Sequence, residues 1–305
     1  MKNRKTSVFS KKIDINLKDR LMEDLKQQGF EISFPQYTIF QAKKKQLTCT
    51  FYESGSLVVQ GKKMDEFIKF YLEPEILKTF EYSYPEEHTD MTPRIGVDEA
   101  GKGDFFGPLC IAGIYADKTN IKKLIELKVK DSKRFSDSSI TNIAKALKTI
   151  PHVIIRLYPE KYNFLYSRFK NLNDLLGWAH ATVIDDLQKK THCKKAIIDQ
   201  FAGKHVVEMA LKKKQAEIDL VQRHKGEEDI VVAAASILAR DSFIQGLEKL
   251  SSDISFVLPK GASNIVKKSA RQLVDIKGKD ILKTVAKTHF KTTIDVTSHL
   301  REEEN

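Results

Sequence analysis

The chain has 305 residues, 41% of them hydrophobic, enough to bury a core and too many for an unfolded polar chain. Lysine and arginine outnumber aspartate and glutamate 52 to 41, a formal net charge of +11. That balance disfavours a cationic partner and suits a polyanion, either nucleic acid or an anionic membrane surface.

Three cysteines, Cys49, Cys110 and Cys193, form no C-x-x-C pair and offer no zinc spacing. They read as reduced, buried thiols of a cytoplasmic protein. Residues 1–12 are basic but lack the apolar centre of a signal peptide.

Charge is uneven along the first third. Residues 1–63 hold 13 Lys/Arg and 6 Asp/Glu, a net of +7, whereas residues 64–93 hold 2 and 8, a net of −6. Leu17, Leu21 and Leu25 predict a helix over 17–28 that stops at Gly29. Short strands are predicted at 38–42, 47–52 and 56–60, with turns at the lysine triplet 43–45 and at Gly55. Helical spacing returns over 64–80. The result is a small basic α+β domain, residues 1–81. Its Phe40, Phe51 and Tyr52 lie among lysines; such aromatics either stack on bases or fill the core. Residues 82–93, polar and carrying Pro85 and Pro93, read as a linker.

From Arg94 to the end, strands and helices alternate, so residues 94–305 read as an α/β domain with a central sheet. Strands are predicted at 94–99, 108–116, 152–158, 195–200 and 216–223. Helices are predicted near 120–128, 136–149, 174–190, 203–213 and 229–248. The tail from Arg271 reads as helical at first and then polar. The runs 153–155 and 196–198 are continuously apolar, as in strands covered on both faces. The longest apolar run, 230–239, is too short to span a bilayer. No heptad or large apolar patch is visible, so a monomer without a membrane partner is expected.

Chemistry concentrates in Gly96-Val97-Asp98-Glu99-Ala100-Gly101-Lys102-Gly103. Two adjacent carboxylates at a strand end repel each other and lose water together, and a divalent cation between them relieves both costs. The Gly-x-Gly turn beside them lets bare amides approach a phosphate or a sugar. Asp199 closes another apolar strand in the same local setting. Glu227, Glu228 and Asp229 follow Lys225-Gly226 and open a helix. The helix dipole alone favours acids there, and Asp229 is the natural cap, which leaves Glu227 as the best further ligand. Four oxygen donors, Asp98, Glu99, Asp199 and Glu227, suit two Mg2+ or Mn2+ ions about 4 Å apart across a scissile phosphate. His152, His180, His192, His205 and His224 are scattered and read as structural or surface residues, with His224 alone near the acids in sequence.

These segments resemble the type 2 ribonucleases H. Residues 96–103 are similar to that family's Asp-Glu-x-Gly-x-Gly signature, Asp131-Ser132-Lys133 to its Asp-Ser-Lys motif, residues 173–180 and 198–199 to its middle motifs, and residues 234–240 to its late helix. The turn 103–108, the segment 258–263 and the extra basic domain with 54–61 resemble the HIII branch. The resemblance implies a ribonuclease H-like domain with a mixed sheet flanked by helices, preceded by a small TATA-binding-protein-like domain that binds substrate. It implies an endonuclease that cuts the RNA strand of RNA/DNA hybrids and leaves 3′-hydroxyl and 5′-phosphate ends. The implied metal ligands are Asp98, Glu99, Asp199 and Glu227, and the implied ribose reader is the backbone of Gly101, Lys102 and Gly103, since minor-groove contacts to the 2′-hydroxyl distinguish RNA from DNA. Lys133 and Ser132 would hold a phosphate; Ser132 also fits a solvated helix start. Lys102 and Ala100 depart from the branch's usual residues, and the backbone role survives both. Three rivals stand beside this reading: HII-like cleavage at single ribonucleotides in duplex DNA, a catalytically silent nucleic-acid-binding protein, and another metal nuclease of the same fold.

Overall fold

In the computed structural model, residues 8–129, 135–169, 171–200, 203 and 205–298 are described. The chain divides into two units, Met1–Thr89 and Asp90–Asn305.

The first unit contains β1 (Val8–Lys12), α1 (Lys18–Gln27), β2 (Glu31–Ser33), β3 (Thr38–Lys44), β4 (Leu47–Tyr52), β5 (Ser56–Gln60) and α2 (Met64–Phe67). A wide-turned helix over Ile68–Leu77 continues α2. The sheet is antiparallel in the order β1-β5-β4-β3-β2. Strand alternation brings Phe40, Ala42, Cys49, Phe51, Leu57 and Val59 into one core with Leu21, Leu25, Ile68 and Leu72. Phe40 and Phe51 are therefore core residues and leave stacking to others, whereas Tyr52 is exposed. The two edge strands, β1 and β2, escape prediction because neither contains a fully buried residue. Buried Glu73 accepts hydrogen bonds from the backbone N–H of Tyr82 (2.6 Å) and Ser83 (3.1 Å), so the start of the expected linker is tied into this unit.

The second unit is built on β6 (Arg94–Ala100), β7 (Leu109–Ala116), β8 (His152–Leu157), β9 (Lys195–Asp199) and β10 (Asp219–Arg223), in the order β10-β9-β6-β7-β8. The β10-β9 and β9-β6 pairs are parallel, and β6-β7 and β7-β8 are antiparallel, which makes the sheet mixed. The helices are α3 (Lys118–Glu126), α4 (Asp137–Leu147), α5 (Pro159–Phe169), α6 (Leu172–Thr191), α7 (His205–Lys213), α8 (Ile230–Asp253), α9 (Asn264–Lys277), α10 (Ile281–Val285) and α11 (Lys291–Thr297). The predicted strands all appear. Helix α5 does not follow from the reading above, although Pro159 in its first turn and the spacing of Tyr162, Tyr166 and Phe169 are helical signals. Among the described residues the tail holds three helices, the first starting seven residues before Arg271.

Alternation along β6 and β7 divides the core in two. Ile95, Val97, Leu109 and Ile111 pack with α6 residues such as Val183 and Leu187. Cys110, Ala112 and Ile114 pack with Val231, Ala234 and Leu238 of α8. Helix α8 is long and apolar enough by length and composition to cross a membrane, more than its ten-residue apolar run suggested. Most of it is buried inside the unit, which accounts for that composition.

Two features seat α8. Asp229 caps it, one carboxylate oxygen accepting from Val231 N at 2.8 Å. The other accepts from Arg94 Nε at 2.9 Å, and both residues are buried. A Cβ added at Gly96 would lie 2.4 Å from the carbonyl carbon of Val231, so the helix backbone rests directly on the strand. Replacing Gly96 with alanine forces the two apart. We expect a loss of about 3 kcal/mol, the cost of overpacking against backbone that cannot swing away; urea denaturation of Gly96→Ala measures it, and an unchanged midpoint contradicts this seating.

Candidate active site

The parallel pairing of β6 with β9 sets Val97 opposite Ile198, so Asp98 and Asp199 are the next residues at neighbouring strand ends. This is the edge at which open α/β sheets collect ligands. Gly226 donates its N–H to Asp199 Oδ1 at 2.7 Å, which draws the short turn Gly226–Glu228 to the same edge. Within that turn Glu227 is half-buried and Glu228 is exposed beside Lys225. The three acids after Gly226 thus separate: Asp229 caps α8, Glu228 is exposed, and Glu227 is half-buried in the turn whose first residue bonds Asp199.

Each carboxylate of the corner has protein partners. Asp98 Oδ1 accepts from Glu99 N at 2.8 Å, and Ser236 of α8 lies near enough to its carboxylate to favour the ionised form. Glu99 Oε2 accepts from His180 Nε2 at 3.2 Å, and the Lys102 ammonium lies 3.6 Å from Glu99 Oε1. Among the described residues no three His, Cys, Asp or Glu side chains close on one point as a metal cage. The backbone brings the four acids to one edge, and their donor chemistry, all carboxylate oxygen, fits a hard divalent cation.

His180 is structural rather than a surface histidine. It is wholly buried on α6 and touches an acid of the corner. His224, the sequence neighbour of the acids, is exposed. The available signal was the position of His180 in an otherwise apolar stretch of helix, within the segment that carries the family resemblance. Ser236 was likewise visible only as part of a motif. Ser132 and Lys133 lie outside the described residues.

Burial and the charge of Glu99 push Asp98 up to about 7. Burial acts in the same sense on Glu99, but the hydrogen bond and charge of His180, with the charge of Lys102, outweigh it and hold Glu99 below its usual range. The adjacent acids therefore differ: the surroundings favour the ionised form of Glu99 and the neutral form of Asp98.

The turn after the acids contains two glycines with different reasons. Gly101 has φ +89°, and a Cβ there would lie 2.2 Å from Pro108 O, so the fold itself demands glycine. An added Cβ at Gly103 meets nothing within 4 Å. The bare backbone at Gly103 is exposed, and among the described residues nothing fills the space a Cβ would take.

The model of the family Ribonuclease HII matches residues 95–293, and that of a domain of unknown function, DUF3378, matches residues 11–83. Ribonuclease HIII of Protochlamydia amoebophila (strain UWE25) is 51% identical over 285 residues, covering 93% of this chain and 95% of that one. Ribonuclease HIII of Chlamydia pneumoniae is 50% identical over 284 residues, covering 92% and 95%. Among solved structures, Bst-RNase HIII in complex with Mn2+ superposes with a TM-score of 0.67 at 28% identity, covering 96% of this chain and 98% of that one.

The raised Asp98 carboxyl makes a stability prediction. A group whose folded pKa lies above its unfolded value stabilises the fold fully below the unfolded value, near 3.8 here, and loses that contribution as pH rises to the folded value of about 7. In chelator, Asp98→Asn should therefore melt higher than wild type at pH 8.5, by on the order of 2–4 kcal/mol, and by about half as much at pH 5.5. Equal melting shifts at both pH values, followed by circular dichroism, contradict the burial of a charge at Asp98.

Proposed function

Because this chain belongs to the ribonuclease HIII family, a branch of the type 2 ribonucleases H, we propose that it hydrolyses the RNA strand of RNA/DNA hybrids by a two-metal-ion mechanism, leaving 3′-hydroxyl and 5′-phosphate ends. The observation that supports this best is the convergence of β6, β9 and the Gly226 turn on one edge, beside an exposed glycine turn.

In this reading Asp98, Glu99, Asp199 and Glu227 hold two Mg2+ or Mn2+ ions. When bound, such ions supply charge neutralisation for the scissile phosphate, an activated water and stabilisation of the leaving oxygen. The chain's own residues do the rest. Ser236 and His180 orient Asp98 and Glu99, so that the carboxylates face the substrate without reorganising. The amides and carbonyls of Gly101, Lys102 and Gly103 read the ribose 2′-hydroxyl across the minor groove. Lys133, with Ser132, holds a neighbouring phosphate. The basic first unit grips the hybrid through phosphate contacts, with exposed aromatics such as Phe34 and Tyr37 available for stacking. We place the protein in the cytoplasm as a monomer; its three cysteines are free and buried, in keeping with a reducing compartment.

An end-labelled uniform RNA/DNA hybrid tests the reaction. EDTA should abolish cleavage, and Asp199→Asn should lower kcat on the order of 10³-fold while hybrid affinity stays within about twofold. Full-rate cleavage in EDTA sinks the mechanism. Running a duplex with one ribonucleotide beside the uniform hybrid separates the HIII from the HII type of cleavage.

Gly103→Ala tests the ribose reader. Its Cβ has room in the protein, so the melting temperature should stay put while KM for the hybrid rises about tenfold, the weight of one lost recognition contact. An unaltered KM removes the turn from substrate recognition.

A further inference from the structure

The backbone that follows the glycine turn is pinned by two distant segments of the chain. The first is the loop at Gly261. Phe105 N donates to Gly261 O at 2.9 Å, and Gly261 N donates back to Asp104 Oδ1 at 2.6 Å. The second is the stretch after α10, which lies antiparallel to residues 105–107 as a bridge between Phe106 and Ala286. Gly107 N donates to Val285 O and Lys287 N donates to Phe105 O, both at 2.9 Å.

The Lys287 side chain then passes beneath the turn. It is fully buried. Its ammonium donates to Asp104 O and Gly107 O, each at 2.8 Å, and to Phe106 O at 3.4 Å, with the Tyr162 ring 5.9 Å away. A trans peptide carries its C=O and N–H on opposite sides, so holding either end sets the plane. The planes of 104–105 and 106–107 are held at both ends, by Lys287 Nζ on the carbonyl and by Gly261 or Val285 on the N–H. The plane of 105–106 is held by Lys287 N, and that of 107–108 by Lys287 Nζ. A methionine would fill the same volume at a lower desolvation cost; an ammonium there adds three directed donors.

Gly101 to Gly103 lie between this pinned segment and the end of β6, where Ala100 pairs with Cys110. We propose that Lys287 is a positioning residue for ribose recognition: by fixing the four peptide planes from Asp104 to Pro108, it sets the direction in which the backbone of Gly101–Gly103 meets the substrate. This rests on the reading of that turn as the ribose reader. Lys287 lies 184 residues beyond Gly103 in the chain, and no motif of the sequence singles it out.

The test compares wild type, Lys287→Met and Asp104→Asn, which weakens the Gly261 tie. Affinities for an RNA/DNA hybrid and for a DNA duplex of the same sequence are measured by fluorescence anisotropy, and kcat and KM are measured on the hybrid. For Lys287→Met the preference for hybrid over duplex should fall about tenfold and KM should rise to match, with kcat changed less than about threefold. For Asp104→Asn the preference should fall about threefold. A purely structural lysine would lower the active fraction, and with it kcat, on every substrate while leaving preference and KM intact; that result overturns the proposal. Should Lys287→Met fail to fold, Asp104→Asn decides, and an unchanged preference there overturns the proposal too. A wild-type protein that itself shows no preference for hybrid refutes the ribose reader, independently of Lys287.

Discussion

The placement of the first turn of α8 on β6 governs the acid corner. Arg94 and Asp229 form a buried pair across 135 positions of sequence, and Arg94 also ties down the carbonyls of Asp90 and Thr92. A buried pair adds little net stability, because desolvation offsets its attraction, yet removing one partner strands a charge at about 3–5 kcal/mol. Its contribution here is register. With Asp229 held by Arg94 and Val231 resting on Gly96, the helix cannot slide along the strand. That single register brings Ser236 to Asp98 and, through the turn before the cap, Gly226 to Asp199.

Electrostatics at the corner follows from that packing. Two adjacent carboxylates in a half-buried site cannot both ionise freely. The fold resolves this by giving Glu99 a histidine and a lysine, and leaving Asp98 to the backbone and a hydroxyl. A cation placed between the two carboxylates would offset that cost. The opposite wall of the site, the turn at 101–108, is organised differently, by backbone hydrogen bonds and a lysine rather than by carboxylates.

Much of this was readable from the residues alone, and the exceptions share a cause. Four of the five central strands announce themselves because Val97, Ile111, Ile155 and Ile197 sit in apolar runs, and Asp98, Glu99 and Asp199 stand out as charges that end such runs. Phe40 and Phe51 were ambiguous between core and stacking surface, because alternation tells which residues share a face but not which face is covered. His180 looked like any helical histidine, since its partner Glu99 is 81 positions away. The edge strands β1 and β2 offered no fully buried residue to detect.

Local chemistry in the chain therefore determined the element types, the α/β class and the identity of the acids, because apolar period, glycine and adjacent charge act over a few residues. The tertiary structure alone decided how Glu227, Glu228 and Asp229 divide between half-buried, exposed and capping positions, and that His180 meets Glu99 and Lys287 meets the turn after Gly103. Those assignments depend on hydrogen bonds between residues tens to hundreds of positions apart. Such bonds exist only once β6, β9, α6, α8 and the C-terminal segment have packed, and a short-range pattern carries no record of them.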